Sequence, residues 1–308
     1  MTLSDTTAPR PYVAPRLTAS VVTAGVILTL AAPQVLADFR LERTLPLAND
    51  GRFELAADGG AVEIVGDRSE DVTVVITADN DDLEDYLSFA FESSPGLARV
   101  EAERTEKRSS WRGMRNLKFT IHVPNRALID ARTAGGSVDV EQIGADATVK
   151  TAGGSIDVTG VDGDLNAITA GGSIAVEEVT GAVRVRTSGG SITLEDLAST
   201  VDAVTSGGSI TAAFNPGNES GGSLKTSAGA IRVALDPRAN LSIDARTSVG
   251  GVRSTLPIQA EGKKKNSRLQ GQLGAGGEQL TLRTSAGGIS LAPLDNADRV
   301  ESGTVMSF

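Results

Sequence analysis

The chain has 308 residues, of which 35 are glycine, and its side chains are 40% hydrophobic but only 3% aromatic. Its net charge of −10 excludes a surface suited to nucleic acid, because most of that surface would repel a phosphate backbone. The absence of cysteine excludes disulfides and Cys-ligated zinc. The composition favours an all-β protein with short strands, tight turns and an aliphatic core.

The N-terminal residues have the pattern of a secretory signal peptide. A basic leader precedes an apolar stretch from Leu17 to Leu30, and Val35 and Ala37 are the small residues expected before a cut at Asp38. We expect residues 1–37 to be removed on export, with an uncleaved anchor as the alternative. After cleavage no transmembrane segment would remain, and the protein would be periplasmic, exposed on the outer surface or secreted.

The residues that follow predict strands interrupted by one insertion. Gly60–Ile64 and Val72–Ile76 predict a first strand pair, and Phe119–Val123 predicts another strand, which ends at Pro124. Residues 80–115 lie between them and are the least repetitive part of the chain. We expect this insertion to cap the N-terminal end of the fold, because an uncapped end would expose strand edges.

An 18-residue repeat fills residues 133–210. Its hexapeptide, T-[AS]-G-G-S-[VI], begins at Thr133, Thr151, Thr169, Thr187 and Thr205. Looser copies begin at Thr226, Thr247 and Thr284, and we attribute their wider spacing to inserted loops, chiefly residues 255–278. A fixed period of this kind indicates a solenoid.

Each repeat predicts two short strands. The apolar residues of one unit are Ile156, Val158, Val161, Leu165 and Ala167. The first two and the last two alternate with polar residues, so each pair predicts a strand with one face inward, and the middle residue is expected at the turn between them. Gly153 and Gly154 predict the second turn, where a positive φ or a close approach of neighbouring coils excludes a Cβ.

Stacking is required because one unit cannot bury its apolar face alone. The sequence therefore predicts one single-stranded β-solenoid domain over residues 38–294, with about 18 residues per coil, and a C-terminal tail over 295–308. We predict a right-handed coil, because the left-handed hexapeptide helix requires aliphatic residues about six apart.

The repeat also suggests a family. The hexapeptide ladder, Pro124, the stretch Asn266–Gly274 and the segment Leu280–Thr284 resemble the bacterial putative-adhesin family of β-strand-repeat proteins, domains of unknown function. The resemblance covers roughly residues 50–294. It implies a β-strand-repeat architecture and assigns no catalytic residue.

A carbohydrate-active β-helix enzyme is one rival interpretation, and His122, the only histidine, is its candidate acid or base. His122 alternates with Ile121 and Val123, so its side chain is expected to face away from the core. No nucleophile or orienting group is visible near it in the sequence. The sequence therefore favours a protein that is not an enzyme.

Calcium binding is a second rival. Asp157, Asp162 and Asp164 lie within eight residues and are the candidate ligands. The nonapeptide calcium roll requires G-G-x-G-x-D throughout the array, and the residues after Gly154 break that pattern. We therefore favour solvated acidic turns without a cofactor, with calcium as the alternative.

A third group of acidic residues recurs at matching positions of successive repeats. It consists of Glu141, Glu177, Glu178, Glu195 and Asp196. We expect these residues to lie in turns and to align along one edge of the solenoid. The edge either keeps the protein soluble and unpaired or docks a cationic partner.

Together these patterns predict a non-catalytic, exported cell-envelope protein that presents a repetitive surface as an adhesin or binding module. Its partner would be an envelope or surface protein or glycan, and a glycan contact would be polar, because Phe214 is the only aromatic residue from 133 to 294. The alternative is a structural, envelope-organising solenoid that self-associates end to end. A polymer requires an exposed terminal coil, whereas a module requires capped ends.

Overall fold

Two long β-sheets enclose a shared aliphatic core in the computed structural model, which describes residues 39–105, 115–261 and 265–294. Sheet A has 12 strands and sheet B has 13. The predicted all-β solenoid architecture is confirmed, and its handedness stays a prediction. The expected signal peptide, residues 1–37, and the tail, residues 295–308, lie outside the described residues.

The described residues form 25 strands and one short helix. In chain order these are β1 (Phe39–Pro46), β2 (Arg52–Ala57), β3 (Ala61–Asp67), β4 (Asp71–Ala78), α1 (Leu83–Tyr86), β5 (Leu87–Ser94), β6 (Leu97–Arg104), β7 (Lys118–Pro124), β8 (Leu128–Thr133), β9 (Val138–Ile143), β10 (Ala147–Thr151), β11 (Ile156–Val161), β12 (Leu165–Thr169), β13 (Ile174–Val179), β14 (Val183–Arg186), β15 (Ile192–Leu197), β16 (Val201–Thr205), β17 (Ile210–Phe214), β18 (Gly222–Ala228), β19 (Ile231–Leu235), β20 (Leu241–Val249), β21 (Val252–Ser254), β22 (Gln259–Ala260), β23 (Arg268–Leu273), β24 (Gln279–Ala286) and β25 (Ile289–Pro293).

Successive strands of the repeat alternate between the two sheets. Sheet A has the order β1-β4-β7-β3-β9-β11-β13-β15-β17-β19-β25-β21, and sheet B has the order β22-β23-β20-β24-β18-β16-β14-β12-β10-β8-β2-β6-β5. Each coil of the repeat thus contributes one strand to each sheet. Neighbouring repeat strands are parallel, and Ile156 pairs with Val138 on one side and with Ile174 on the other. Equivalent side chains therefore form straight rows across each sheet.

The repeat strands of sheet A place three residues in the core. In β13 these are Ile174, Val176 and Val179, separated by two and then three positions. A left-handed residue inside the strand produces the longer interval, because its altered backbone direction turns the next side chain inward again. The left-handed residues of the four repeats are Gln142, Gly160, Glu178 and Asp196. The third aliphatic residue, expected at a turn, is thus the last residue of the strand.

Buried threonines at the start of the repeat motif link adjacent coils. The Thr187 Oγ1 hydroxyl donates to the carbonyl oxygen of Gly172, in the coil before it, over 2.7 Å. The Gly190 N–H, in the same coil as Thr187, donates to that hydroxyl over 3.3 Å. The same donation to an adjacent coil, at distances up to 3.2 Å, is made by Thr133, Thr151, Thr169, Thr205, Thr226, Thr247 and Thr284.

The second glycine of the motif lies where coils approach most closely. A Cβ added to Gly154 would lie 1.9 Å from the carbonyl oxygen of Gly136, and one added to Gly172 would lie 2.1 Å from that of Gly154. A Cβ on Gly153 would instead meet nothing nearer than the Cα of Gly135, at 3.8 Å. Close approach of the coils therefore excludes larger residues at the second glycine, whereas a Cβ at the first has room at Gly153 and is only tight, at 3.1–3.3 Å, at Gly171, Gly189 and Gly207.

Antiparallel strands lie at both ends of the solenoid. At the N-terminal end β1 pairs with β4, β5 pairs with β6, and Phe39 stacks on Phe89 where β1 and β5 meet, with ring centroids 6.2 Å apart. The insertion expected to form a cap, residues 80–115, supplies α1, β5 and β6 here, and its residues 106–114 lie outside the described residues. At the other end the expected loop, residues 255–278, contains the antiparallel strands β22 and β23.

The expected first strand pair is not a repeat unit. The segment Gly60–Ile64 lies mostly in β3, and Val72–Ile76 lies in β4. Both strands belong to sheet A, where β7 lies between them. β4 is antiparallel to β7, whereas β3 is parallel to it. The alternating apolar pattern of the two segments specifies strands with one buried face, and this pattern is the same in either direction.

The last coils do not stack in sequence order. The pairs β18–β24 and β24–β20 place Thr284 between Thr226 and Thr247. The coil β20/β21 therefore comes first along the chain, but the later strands β24 and β25 lie between it and the preceding coil, β18/β19. The wide spacing between Thr247 and Thr284, which we attributed to an inserted loop, thus has a second cause. Within it the chain reverses direction, and β23 pairs antiparallel with β20.

The glycine geometry predicts opposite outcomes for two neighbouring substitutions. Gly154→Ala should lower the free energy of unfolding by on the order of 2–3 kcal/mol, because its Cβ would force two coils apart. Gly153→Ala, the matched control, should change it by less than about 0.5 kcal/mol. Chemical denaturation of both variants measures the difference, and equal losses would contradict the stacking described here.

Candidate interaction face

The outer side of sheet A is acidic along the repeat. We call it the acidic face, and it consists of Asp139, Glu141, Asp157, Glu177, Glu178, Glu195 and Asp196. The four strands that supply it, β9, β11, β13 and β15, contain no lysine or arginine. The face therefore has unbalanced negative charge across four consecutive coils.

One row of this face contains residues that the sequence singled out. Across the paired strands Glu141 lies beside Thr159, Thr159 beside Glu177, and Glu177 beside Glu195. Strand spacing puts neighbours in the row about 4.8 Å apart. The side chains lie within strands on the outer face of the sheet, and not in turns along an edge as expected. The left-handed residues extend each strand past the acidic positions.

A second row of side chains runs beside the first on the same face, and the sequence did not lead us to group its acidic residues. Glu63 pairs with Asp139, Asp139 with Asp157, and the row continues through Ala175 to Thr193. Asp157 had been considered only as a calcium ligand. The signal was present in the sequence, because Asp139 precedes Asp157 by one 18-residue repeat.

The carboxylates of the acidic face perturb one another. Burial raises the pKa of Glu177 above its usual value of 4.5, and repulsion from the neighbouring carboxylates of Glu178, Glu195 and Asp196 raises it further. The pKa of Asp139 is also raised, first by burial and then by neighbouring carboxylates. Mutual repulsion thus opposes ionisation of Glu177 and Asp139, although Lys118 partly offsets it at Asp139.

Three of these carboxylates lie close enough together to bind one cation. Oxygens of Glu177, Glu178 and Asp196 are all within 4.8 Å of one another. This is the only such group of three or more ligand residues in the part of the chain that the structure describes. Glu177 is half-buried and Glu178 is exposed, and the group opens to solvent on the outer side of the sheet.

The predicted calcium ligands are not brought together in this way. Asp157 lies on the acidic face, Asp162 lies in the turn after β11, and Asp164 lies just before β12. An Oδ1 of Asp164 accepts the backbone N–H of Ala182 in the next coil over 2.8 Å. Asp164 thus has a structural role in stacking.

His122 lies in line with the first acidic row, two strands from Glu141 with Val65 between them, toward the N-terminal end of sheet A. Its side chain is 43% exposed and faces outward, and its Nδ1 lies 3.0 Å from Oδ2 of Asp67. Burial acts to raise the pKa of Asp67, but hydrogen bonds from Ser69 and His122 outweigh it and hold that pKa below its usual value of 3.8. The pair links β3 to β7.

Comparison with known proteins identifies relatives by family and fold. A family model described as Toastrack DUF4097 matches residues 52–292, and it confirms the resemblance noted from the repeat. A putative adhesin from Bacteroides fragilis has a similar structure, with a TM-score of 0.52, 13% identity and coverage of 82% of this chain and 97% of its own. At this identity the likeness shows the fold alone.

Two proteins from Parabacteroides distasonis are also similar. One is described as a putative lipid binding protein and the other as a putative adhesin, and each has a TM-score of 0.41, 12% identity and coverage of 83% of this chain and 97% of its own. No curated protein matches the sequence. Among the described residues no helix is long and apolar enough to cross a membrane.

The raised pKa of Glu177 predicts a pH-dependent gain of stability on its neutralisation. Because the pKa of Glu177 is higher in the folded chain than its usual 4.5, ionising Glu177 opposes folding. The protonated side chain favours the folded state at low pH, and this stabilisation is lost as pH rises through the folded-state pKa. Glu177→Gln should therefore raise the melting temperature at neutral pH and should give no gain below pH 4.5. The exposed Glu278→Gln is the control. A pH-independent effect of Glu177→Gln would contradict the charge repulsion described here.

Proposed function

Because the chain belongs to the Toastrack family, we propose that it is an exported, non-catalytic binding module of the cell envelope whose acidic face contacts a cationic partner. The family supplies the architecture, and the partner chemistry follows from the charges. The observation on which the proposal depends is the run of four consecutive strands with seven outward carboxylates and no basic residue.

Electrostatics favour a cationic partner at this face. A lysine or arginine brought close to Glu177 would relieve the repulsion that raises its pKa. Complementary charge of this kind speeds encounter and selects partners more than it adds raw affinity. We therefore expect binding that weakens as salt concentration rises.

The scaffold supports recognition of an extended partner. The hydrogen bonds from the repeat threonines hold neighbouring coils in register, so Glu141, Glu177 and Glu195 keep a regular spacing before any partner arrives. Such preorganisation lowers the entropy lost on binding. The carboxylates stand side by side on one side of a sheet, which suits a broad contact better than enclosure of a small substrate. This supports a binding role over a catalytic one.

Adhesion is the variant of this role that the relatives suggest. The Bacteroides fragilis protein of similar fold is described as a putative adhesin. The alternative of an end-to-end polymer is less well supported, because the outermost strands of both sheets at the N-terminal end, and of sheet B at the other end, are antiparallel to their neighbours. Only β21, at the end of sheet A, continues the parallel register, so a second solenoid would find at most one matching strand edge in the described part of the chain.

Export is tested by the mass of the protein from its native compartment. We expect the mature chain to begin at Asp38, because Val35 and Ala37 follow an apolar run in the pattern that signal peptidase cleaves. Intact-mass measurement of the chain from fractionated cells checks this. Recovery of the chain with residues 1–37 still attached, or its retention inside the cytoplasm, would overturn the export proposal.

The binding proposal is tested by neutralising one acidic row. The variant Glu141→Gln, Glu177→Gln and Glu195→Gln should bind washed cell envelopes several-fold more weakly than the unaltered chain, because it removes charge without changing side-chain size. The readout is the fraction of purified protein that cosediments with the envelopes.

A control variant removes the same number of charges elsewhere. Glu70, Asp71 and Glu278 are exposed and lie outside the acidic face, so Glu70→Gln, Asp71→Asn and Glu278→Gln together should leave cosedimentation unchanged. Equal binding by both variants and the unaltered chain would rule out the acidic face as the contact surface. Melting curves of each variant confirm that the fold is retained.

A further inference from the structure

The outer side of sheet B contains a row of opposite charge, which we call the basic row. Side by side across the paired strands it consists of Arg132, Lys150, Ile168, Arg186, Val204, Lys225, Arg283 and Arg246. The row contains six basic residues, two aliphatic residues and no acidic residue. It lies on the other sheet from the acidic face. Arg132, Arg246 and Arg283 are ion-paired with Asp130 and Asp244 of the neighbouring row, so the excess positive charge lies at Lys150, Arg186 and Lys225.

The cations in the middle of this row are available for contact. Lys150 and Lys225 form no ion pair with any residue that the structure describes. Arg186 lies 3.6 Å from Asp202, and the two side chains are 60% and 38% exposed. An exposed pair at this distance contributes little, so Arg186 is free to exchange it for another carboxylate.

The acidic and basic rows have matching geometry because they arise from the same coils. Each coil of the repeat gives one strand to sheet A and the next to sheet B, so both rows repeat with the same spacing of about 4.8 Å. Glu141 and Lys150 belong to one such coil, formed by β9 and β10. Glu177 and Arg186 belong to another, formed by β13 and β14.

A second copy of the chain fits this arrangement. If two copies stack side by side with their coils level, the carboxylates of Glu141 and Glu177 in one copy face the cations of Lys150 and Arg186 in the other. At the intervening level, Thr159 faces Ile168, so no charge is left opposite a like charge at these three levels.

We propose that the protein self-associates laterally, with the acidic face of one copy against the basic row of the next. The inference rests on the proposed function in taking the acidic face as a contact surface, and it identifies a second copy of this chain as a cationic partner. The contact is heterologous, because each copy uses a different side. Every added copy therefore leaves one acidic and one basic side open, and the association extends as a stack.

The test uses a charge exchange between two variants of the full chain. The first, Glu141→Lys with Glu177→Lys, reverses the two charges that face Lys150 and Arg186. The second, Lys150→Glu with Arg186→Glu, reverses the two charges that face Glu141 and Glu177. The unaltered protein should form dimers and larger species at low salt and monomers at high salt in sedimentation velocity, because exposed charges are screened by salt. Each variant alone should be monomeric at low salt.

Mixing the two variants is the decisive measurement, because each reversed surface then has a complementary surface on the other variant. The mixture should recover the association that each variant lost. The control Arg68→Glu with Lys265→Glu also converts two basic residues to glutamate, as the second variant does, but at exposed sites outside both rows. It should associate as the unaltered chain does. Retained melting temperatures exclude unfolding as the cause of any loss.

Several outcomes would overturn the proposal. These are an unaltered chain that is monomeric at low salt, variants that associate normally, or a mixture that stays monomeric. Failure here is separable from failure of the proposed function. If neutralising the acidic row weakens envelope binding while the protein remains a monomer, the acidic face binds another cationic partner and the self-association is wrong.

Discussion

The hydrogen bond from a threonine hydroxyl to a glycine carbonyl in the adjacent coil is the interaction on which the solenoid depends. It places a buried polar side chain where a carbonyl would otherwise lack a donor, and it requires the two coils to approach so closely that the second glycine cannot have a Cβ. The motif T-x-G-G is thus one device, in which Thr187 supplies the donor, Gly172 the acceptor, and Gly190, which has no Cβ, the space beside that carbonyl. Repetition of this device sets a constant register along the array.

Constant register determines the surface as well as the core. In parallel strands with an invariant offset, a residue type repeated every 18 positions becomes a row, so a modest bias in sequence becomes a concentrated charge. The acidic face and the basic row both arise in this way. A protein with an acidic sequence pI near 4.8 can therefore still have one side on which cations dominate. The net charge governs the attraction of a charged partner at long range, whereas the charged rows determine which partner surface can bind in direct contact.

The repeating coils were predictable from the sequence, whereas outside them strands such as β4 and β7 were predicted but their pairing and order were not. The hexapeptide and the inward aliphatic positions indicated stacked coils, because identical units can bury their apolar faces only against one another. The position of Glu178 inside a strand was missed, because a left-handed residue other than glycine has no distinctive sequence pattern. The basic row was missed because Arg186 and Lys225 are separated by more than one repeat. The insertion of β24 between β18 and β20 was missed because every coil presents the same interior to its neighbours.

That insertion has a consequence for how the protein is made. The strands β24 and β25 come from nearly the last described residues of the chain, yet each has a parallel neighbour on both sides. During synthesis the coil β20/β21 emerges before the segment that joins it to the rest of the solenoid. The far end of the molecule can therefore be completed only after residue 293 has emerged, and a chain interrupted earlier has an open slot in both sheets. The architecture thus makes completion of this end of the solenoid depend on the strands β24 and β25.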